Sequence, residues 1–147
     1  MRHVYLDNAA STKPKPEVIE AMLPYLVGDK WHNPSSLYNA GAKIKGDIEK
    51  ARKTIADYIG ADASEIYFTS GGSESNCWAI KGFVENIICE TNDIPVVITT
   101  SIEHKSIVSC VNSSTVDRQA YCEYISVDED GHVDLDCLER LLNTYLK

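Results

Sequence analysis

Three short stretches bring together residues whose types and spacing could do chemistry. The first is TSGGSESN, residues 69–76, where two glycines, three serines and a carboxylate separate an apolar run from a helix-like run. Glycine lets a backbone approach an anion closely, and a helix that starts there offers unpaired N–H groups with a partial positive charge. Ser73 would add a hydroxyl bond. The same residues also suit an ordinary helix cap, with Ser70 or Ser73 as N-cap and Glu74 complementing the dipole. The loop alone leaves both readings open. Its spacing is neither the Gly-Lys-Ser/Thr of a nucleotide-binding P-loop nor Gly-x-Gly-x-x-Gly, which argues against a nucleotide.

The second stretch is TTSIEHKS, residues 99–106, with His104 beside Glu103 just past an apolar run. His104 is either a solvated residue at a helix start or a ring placed over a ligand and able to exchange protons near neutral pH. Glu103, His104 and Lys105 do not have metal-ligand spacing. The third stretch pairs YLDNAAST (residues 5–12) with WHNPSS (residues 31–36). The small residues Ala9, Ala10 and Ser11 would let a ligand or second subunit come close, or they form a plain turn. Asn33 is expected to hold its own loop, and Trp31 and His32 to pack within it. The five cysteines, Cys77, Cys89, Cys110, Cys122 and Cys137, are widely spaced, with no CxxC pair and no zinc-finger spacing. They read as free, mostly buried thiols in a reducing compartment.

Elements must hold these stretches in place. HVYLD reads as a short strand or extended arm. Pro16 suits the first turn of a helix, and Pro24 should bend or interrupt it. Asn33-Pro34 marks a loop. From residue 37 to 59, Ile44, Ile48, Ala51, Ile55 and Ile59 recur at helical spacing, and Gly60 is placed to end that helix. A β-branched and aromatic strand is predicted at residues 66–69. A helix follows over 75–88, then a buried strand in PVVITTS, a helix over 104–116, and a strand in AYCEYISV. After the turn DEDGHV comes a last helix with Leu135, Leu138, Leu142 and Tyr145 on one side. Strands alternating with helices predict an α/β fold with a mainly parallel sheet flanked by helices. In such sheets ligands bind beyond the carboxyl ends of the strands, where the first two stretches lie.

The chain has 147 residues, a usual single-domain length, and 44% hydrophobic residues, enough for a core. The net charge of −8 argues against a nucleic-acid or anionic-membrane surface but not against a small anion held locally. No apolar run is long enough to span a bilayer, and MRHVYLDNAAST has no apolar signal-peptide core. A soluble cytoplasmic protein is expected.

In order along the chain, YLDNAAST, NPSS, EIYFTSGGSESNCWAIKG, TSIEHKSI and GHVDLDCLERLL resemble the N-terminal part of the NifS/IscS-type cysteine desulfurases. These belong to the class V aminotransferase group of fold-type-I pyridoxal phosphate enzymes. EHKSI, with no second histidine after His104, resembles the NifS/IscS branch more than the SufS-like branch. The resemblance implies an incomplete large domain over residues 16–147, preceded at 1–15 by an arm of the small domain. It implies conversion of L-cysteine to L-alanine, with the sulfur left as an enzyme persulfide for iron–sulfur cluster or thio-cofactor assembly. Gly72, through its backbone N–H, and Ser73 would bind the cofactor phosphate. His104 would stack on the pyridine ring and help proton transfer, and Ala9, Ala10 and Ser11 would line the substrate side. The family more often has Ala-Thr where this chain has Gly72-Ser73, and Ser73 keeps the hydroxyl.

Other family parts are not recognisable here: an Asp for the pyridine nitrogen, a Ser-x-His-Lys segment with the cofactor lysine, a substrate Arg and a cysteine loop. Lys105 is expected to be a helix-surface charge and Cys77 a packing residue. The chain therefore reads as a fragment, inactive alone, that self-associates as a homodimer, rearranges or pairs with a missing C-terminal portion. Residues 66–69 would then lack a neighbouring strand. A sulfur-acceptor scaffold is the implied protein partner. The alternatives are a selenocysteine lyase or other class V aminotransferase, and a non-catalytic phosphate-binding or assembly module.

Overall fold

Proline at the first helical position needs no N–H acceptor, and Pro16 accordingly opens α1, Pro16–Leu26. The computed structural model describes residues 4–116 and 119–146. It divides into two units, with the boundary between Tyr67 and Phe68. In the first unit, residues 4–7 have no regular secondary structure and pair with no strand. Pro24 lies inside α1 near its end, and the Lys30 N–H closes on the Pro24 carbonyl at 3.0 Å. The proline thus sits in the turn that stops the helix.

The second helix, α2, spans Asn39–Ile59 and ends at Gly60, whose φ of 73° is the left-handed conformation glycine adopts without steric cost. Ile44 and Ala56 are buried, but Ala51, Ile55, Tyr58 and Ile59 stay exposed. The helical period is as expected, yet only part of its apolar face is covered. Gly41 is required by close approach, since a Cβ there would lie 2.5 Å from the Asn33 carbonyl oxygen. The 33–36 turn therefore rests directly on α2. Asn33 holds that turn by accepting the Ser35 N–H at 2.8 Å, and Trp31 stacks on His32 with centroids 4.4 Å apart. Asp47 on α2 accepts from Lys30 at 2.7 Å and from Tyr25 at 2.8 Å, which ties α1 and its loop to α2. A 3₁₀ turn at Ala63–Glu65 follows, held by an Asp62–Glu65 capping box.

Residues 66–69 are not a strand. A strand is defined by a ladder of backbone hydrogen bonds to a neighbour, and the sheet among the described residues has two strands only, both further along. The backbone is extended at Ile66, whose carbonyl accepts from Arg52 instead.

In the second unit, α3 spans Gly72–Thr91, starting three residues before the predicted Ser75 and ending at Asn92 with φ 60°. Then come β1, Val96–Thr100; α4, Lys105–Val116; β2, Tyr121–Ile125; and α5, Leu135–Tyr145. The strands pair in parallel, from Val96 opposite Tyr121 to Thr100 opposite Ile125. A parallel pair needs a long crossover, which α4 supplies. α3 packs on α4, and α4 and α5 contact β2. Val84, Cys110, Val111, Ala120 and Ile125 form the buried core here. Asp134 caps α5 by accepting the Cys137 N–H at 2.9 Å. No described helix is long and apolar enough to cross a membrane. All five cysteines are free, but only Cys110 is buried and Cys89 is exposed, against the expectation of mostly buried thiols.

Candidate functional site

The cap that would have explained TSGGSESN is not formed. Gly71 occupies the N-cap position, and neither Ser70 nor Ser73 caps α3 with its side chain. Glu74 reaches back to accept the Ser70 N–H at 2.6 Å. Hydrogen bonds from Ser70, side chain first and backbone second, hold the Glu74 carboxyl below its ordinary value. The Gly71 carbonyl accepts from the Ser75 N–H at 3.1 Å and from the Thr69 and Ser75 hydroxyls at 3.2 Å each. The N–H groups of Gly72 and Ser73 and the Ser73 hydroxyl are left with no acceptor among the described residues. They lie at the positive end of a 20-residue helix. A Cβ at Gly71 or Gly72 would meet nothing within 4 Å, so neither glycine is required there by close packing.

His104 is the N-cap of α4. Its carbonyl accepts the Ile107 N–H at 2.9 Å, and its own Nδ1 accepts the Ser106 N–H at 3.1 Å, the position where a capping side chain usually bonds. The Ser106 Oγ lies 2.7 Å from the same Nδ1 and accepts from Asn76 Nδ2 of α3 at 3.0 Å. The starts of α3 and α4 thus open on one depression of about 380 Å³, bordered by Ser73 and Cys77 from α3 and by His104, Lys105, Ser106 and Cys110 from α4.

Two helix N-termini, an exposed lysine and an unbonded hydroxyl suit a small anion. Cys110 is a poor nucleophile: burial first, then the neighbouring Cys77, pushes its thiol up to about 11. No cluster of three or more metal-ligating side chains exists among the described residues.

Ser73 and His104, singled out from sequence, thus border the same depression, with Gly72 next to Ser73. Ala9, Ala10 and Ser11 belong to the other unit. They form an exposed turn in which Ala10 and Ser11 N–H bond the Asp7 carbonyl at 3.2 and 3.3 Å. The Tyr5 hydroxyl is 2.8 Å from Ser11 Oγ. Sequence reasoning missed Asn76 and Ser106, and it gave Lys105 only a surface role. Bonds between side chains 30 positions apart leave no periodic signal to find.

An α/β unit whose helix starts converge beyond the end of a parallel strand is built as ligand-binding α/β enzymes are. The chain belongs to the aminotransferase class-V family, whose pattern it matches over residues 4–147. It is 41% identical over 140 residues to the cysteine desulfurase IscS of Methanosarcina thermophila, covering 95% of this chain and 33% of that protein. To the cysteine desulfurase IscS of Clostridium botulinum strain Hall it is 37% identical over 142 residues, covering 96% and 34%. Among solved structures, a NifS-like protein superposes with a TM-score of 0.86 at 34% identity, over 95% of this chain and 37% of that one. SspA, solved in complex with cysteine, gives 0.80 at 34% identity over 92% and 38%. The chain spans about a third of the length of the curated relatives it matches. Its small parallel sheet flanked by helices corresponds to the N-terminal part of NifS-like enzymes.

Proposed function

We propose that this chain is the N-terminal, phosphate-holding portion of a pyridoxal phosphate-dependent cysteine desulfurase. The whole protein would convert L-cysteine to L-alanine and pass the sulfur, as an enzyme persulfide, to an acceptor scaffold. The observation that carries this reading is the set of donors without acceptors at the start of α3, beside the His104 ring. Those donors fit the phosphate end of the cofactor, and the depression that Ser73 borders leaves room for it.

In this reading the Gly72 and Ser73 N–H groups and the Ser73 hydroxyl bind the phosphate, and the two helix N-termini add favourable charge. Lys105 supports it: a cation at the first position of a helix opposes the dipole and is favoured there by a nearby anion. His104 would lie against the cofactor ring and offer Nε2 for a proton. When bound, pyridoxal phosphate supplies the electron sink for the bond changes at the substrate, and the protein orients it. Residues 1–15 are read as an arm of the small domain, with Ala9, Ala10 and Ser11 on the substrate side, and 16–147 as part of the large domain. The same reading places the chain in the cytoplasm, with a second copy or further chain completing the site.

Titration of the chain with pyridoxal phosphate tests this. Binding competed by inorganic phosphate is expected, weakened about 10-fold or more by Ser73→Ala, as loss of a hydrogen bond to a charged group implies. Binding that ignores both phosphate and Ser73→Ala would overturn the assignment of the phosphate site. Borohydride fixation of the cofactor onto a lysine of this chain would overturn the reading that its covalent anchor lies elsewhere.

A further inference from the structure

We propose that Asn76 and Ser106 are positioning residues that lock His104 in one tautomer and one orientation, with the proton on Nε2. The proposal rests on the reading of His104 as a cofactor-facing ring for its use, but not for its geometry.

The direction of each bond follows from what each group can do. The Ser106 backbone N–H can only donate, and it points at Nδ1 from 3.1 Å. Nδ1 therefore acts there as an acceptor. Asn76 Nδ2 also can only donate, and it reaches Ser106 Oγ at 3.0 Å. That bond occupies an oxygen lone pair and leaves the hydroxyl proton to go elsewhere. The nearest acceptor is Nδ1 at 2.7 Å, so the hydroxyl becomes its second donor. With two protons directed at Nδ1, the neutral ring carries its own on Nε2. That nitrogen has no bond among the described residues and is the one left for a ligand. The bonds also oppose rotation of the ring, because turning it would strip both donors of their acceptor. The device spans two elements: Asn76 lies in the second turn of α3 and Ser106 in the first turn of α4. The phosphate loop and the ring are thereby fixed to each other through side chains as well as packing.

Ring ¹⁵N chemical shifts of His104 in the 147-residue chain test this without any cofactor. His104→Gln identifies the resonances among the four histidines. In the parent chain, with the ring neutral, Nδ1 is expected to be pyridine-like and Nε2 pyrrole-like. Ser106→Ala removes one donor and should move Nδ1 toward a pyrrole-like average. Asn76→Asp offers the hydroxyl a competing acceptor and should shift Nδ1 the same way, while Ser106→Thr keeps the hydroxyl and should restore the parent pattern. A pyrrole-like Nδ1 in the parent chain overturns the proposal whatever the variants do. So do unchanged shifts in Ser106→Ala and Asn76→Asp chains that keep their helical circular dichroism. If variants unfold, the parent tautomer alone decides. A locked tautomer without pyridoxal phosphate binding would keep this inference and sink the functional reading. Binding without the lock would do the reverse.

Discussion

At the residue scale, the side chains around the depression divide into donors aimed outward and groups kept out of the chemistry. Cys110 belongs to the second kind. With its thiol near 11, about a thousandth of it is ionised at pH 8, against roughly a quarter for an ordinary thiol. Iodoacetamide should modify exposed Cys89 well before buried Cys110, and peptide mapping after timed quenching reads the order. Equal labelling would mean that the α3–α4 contact opens. Beforehand, only the candidacy of Ser73 and His104, which border one depression, was legible. His104 and Ser73 stood out because an imidazole past an apolar run and a hydroxyl after two glycines are uncommon placements with few uses. Asn76 and Ser106 were not legible, since their role exists only once two helices lie side by side.

At the scale of elements, α2 supplies the sharpest tests. Gly41→Ala would drive a methyl group against the Asn33 backbone carbonyl, which no rotamer change relieves. A loss of about 1–3 kcal/mol is expected in urea melts followed by helical signal. Gly60→Ala should cost about 1 kcal/mol, because its left-handed φ penalises a side chain. Acid should also weaken these elements. Asp134 is held below its ordinary value of 3.8 chiefly by the Cys137 N–H, Asp128 chiefly by the His132 N–H, and Asp47 chiefly by Lys30. A carboxyl depressed on folding stabilises fully above its unfolded value and loses that contribution as pH falls through the lower folded one. Thermal midpoints should therefore fall as pH drops below about 4, where these carboxyls protonate in the unfolded chain, modestly because these groups are exposed, and Asp134→Asn should flatten part of the drop. The helix stops and the two parallel strands were readable because glycine placement and apolar period are local. Residues 66–69 have the composition of a strand, but composition cannot supply the neighbour a strand requires.

At the scale of the whole molecule, large apolar side chains stay exposed within each unit. Trp31, Tyr58, Phe83, Trp78 and Leu135 are each more than half exposed. Apolar surface of this extent marks association sites. The chain alone is expected to bind a hydrophobic dye and to assemble with concentration in light scattering. A monodisperse monomer that unfolds cooperatively would contradict this. Sequence period placed α2 and α5 as helices, but Ala51, Ile55 and Ile59 on α2 and Leu135, Leu142 and Tyr145 on α5, expected on their apolar faces, stay exposed, because period carries no information on what covers a face.

The two helix starts have one more consequence, in the energetics of ligand linkage. Their contacts join positions 30 residues apart, so an anion touching both would act as a removable cross-link across that loop. Held at about 100 times its dissociation constant, such a ligand would add about 2.7 kcal/mol to the folded state. Amide exchange should then slow in concert at the first turns of α3 and α4. The depression would serve as a latch for the fold before any chemistry takes place in it.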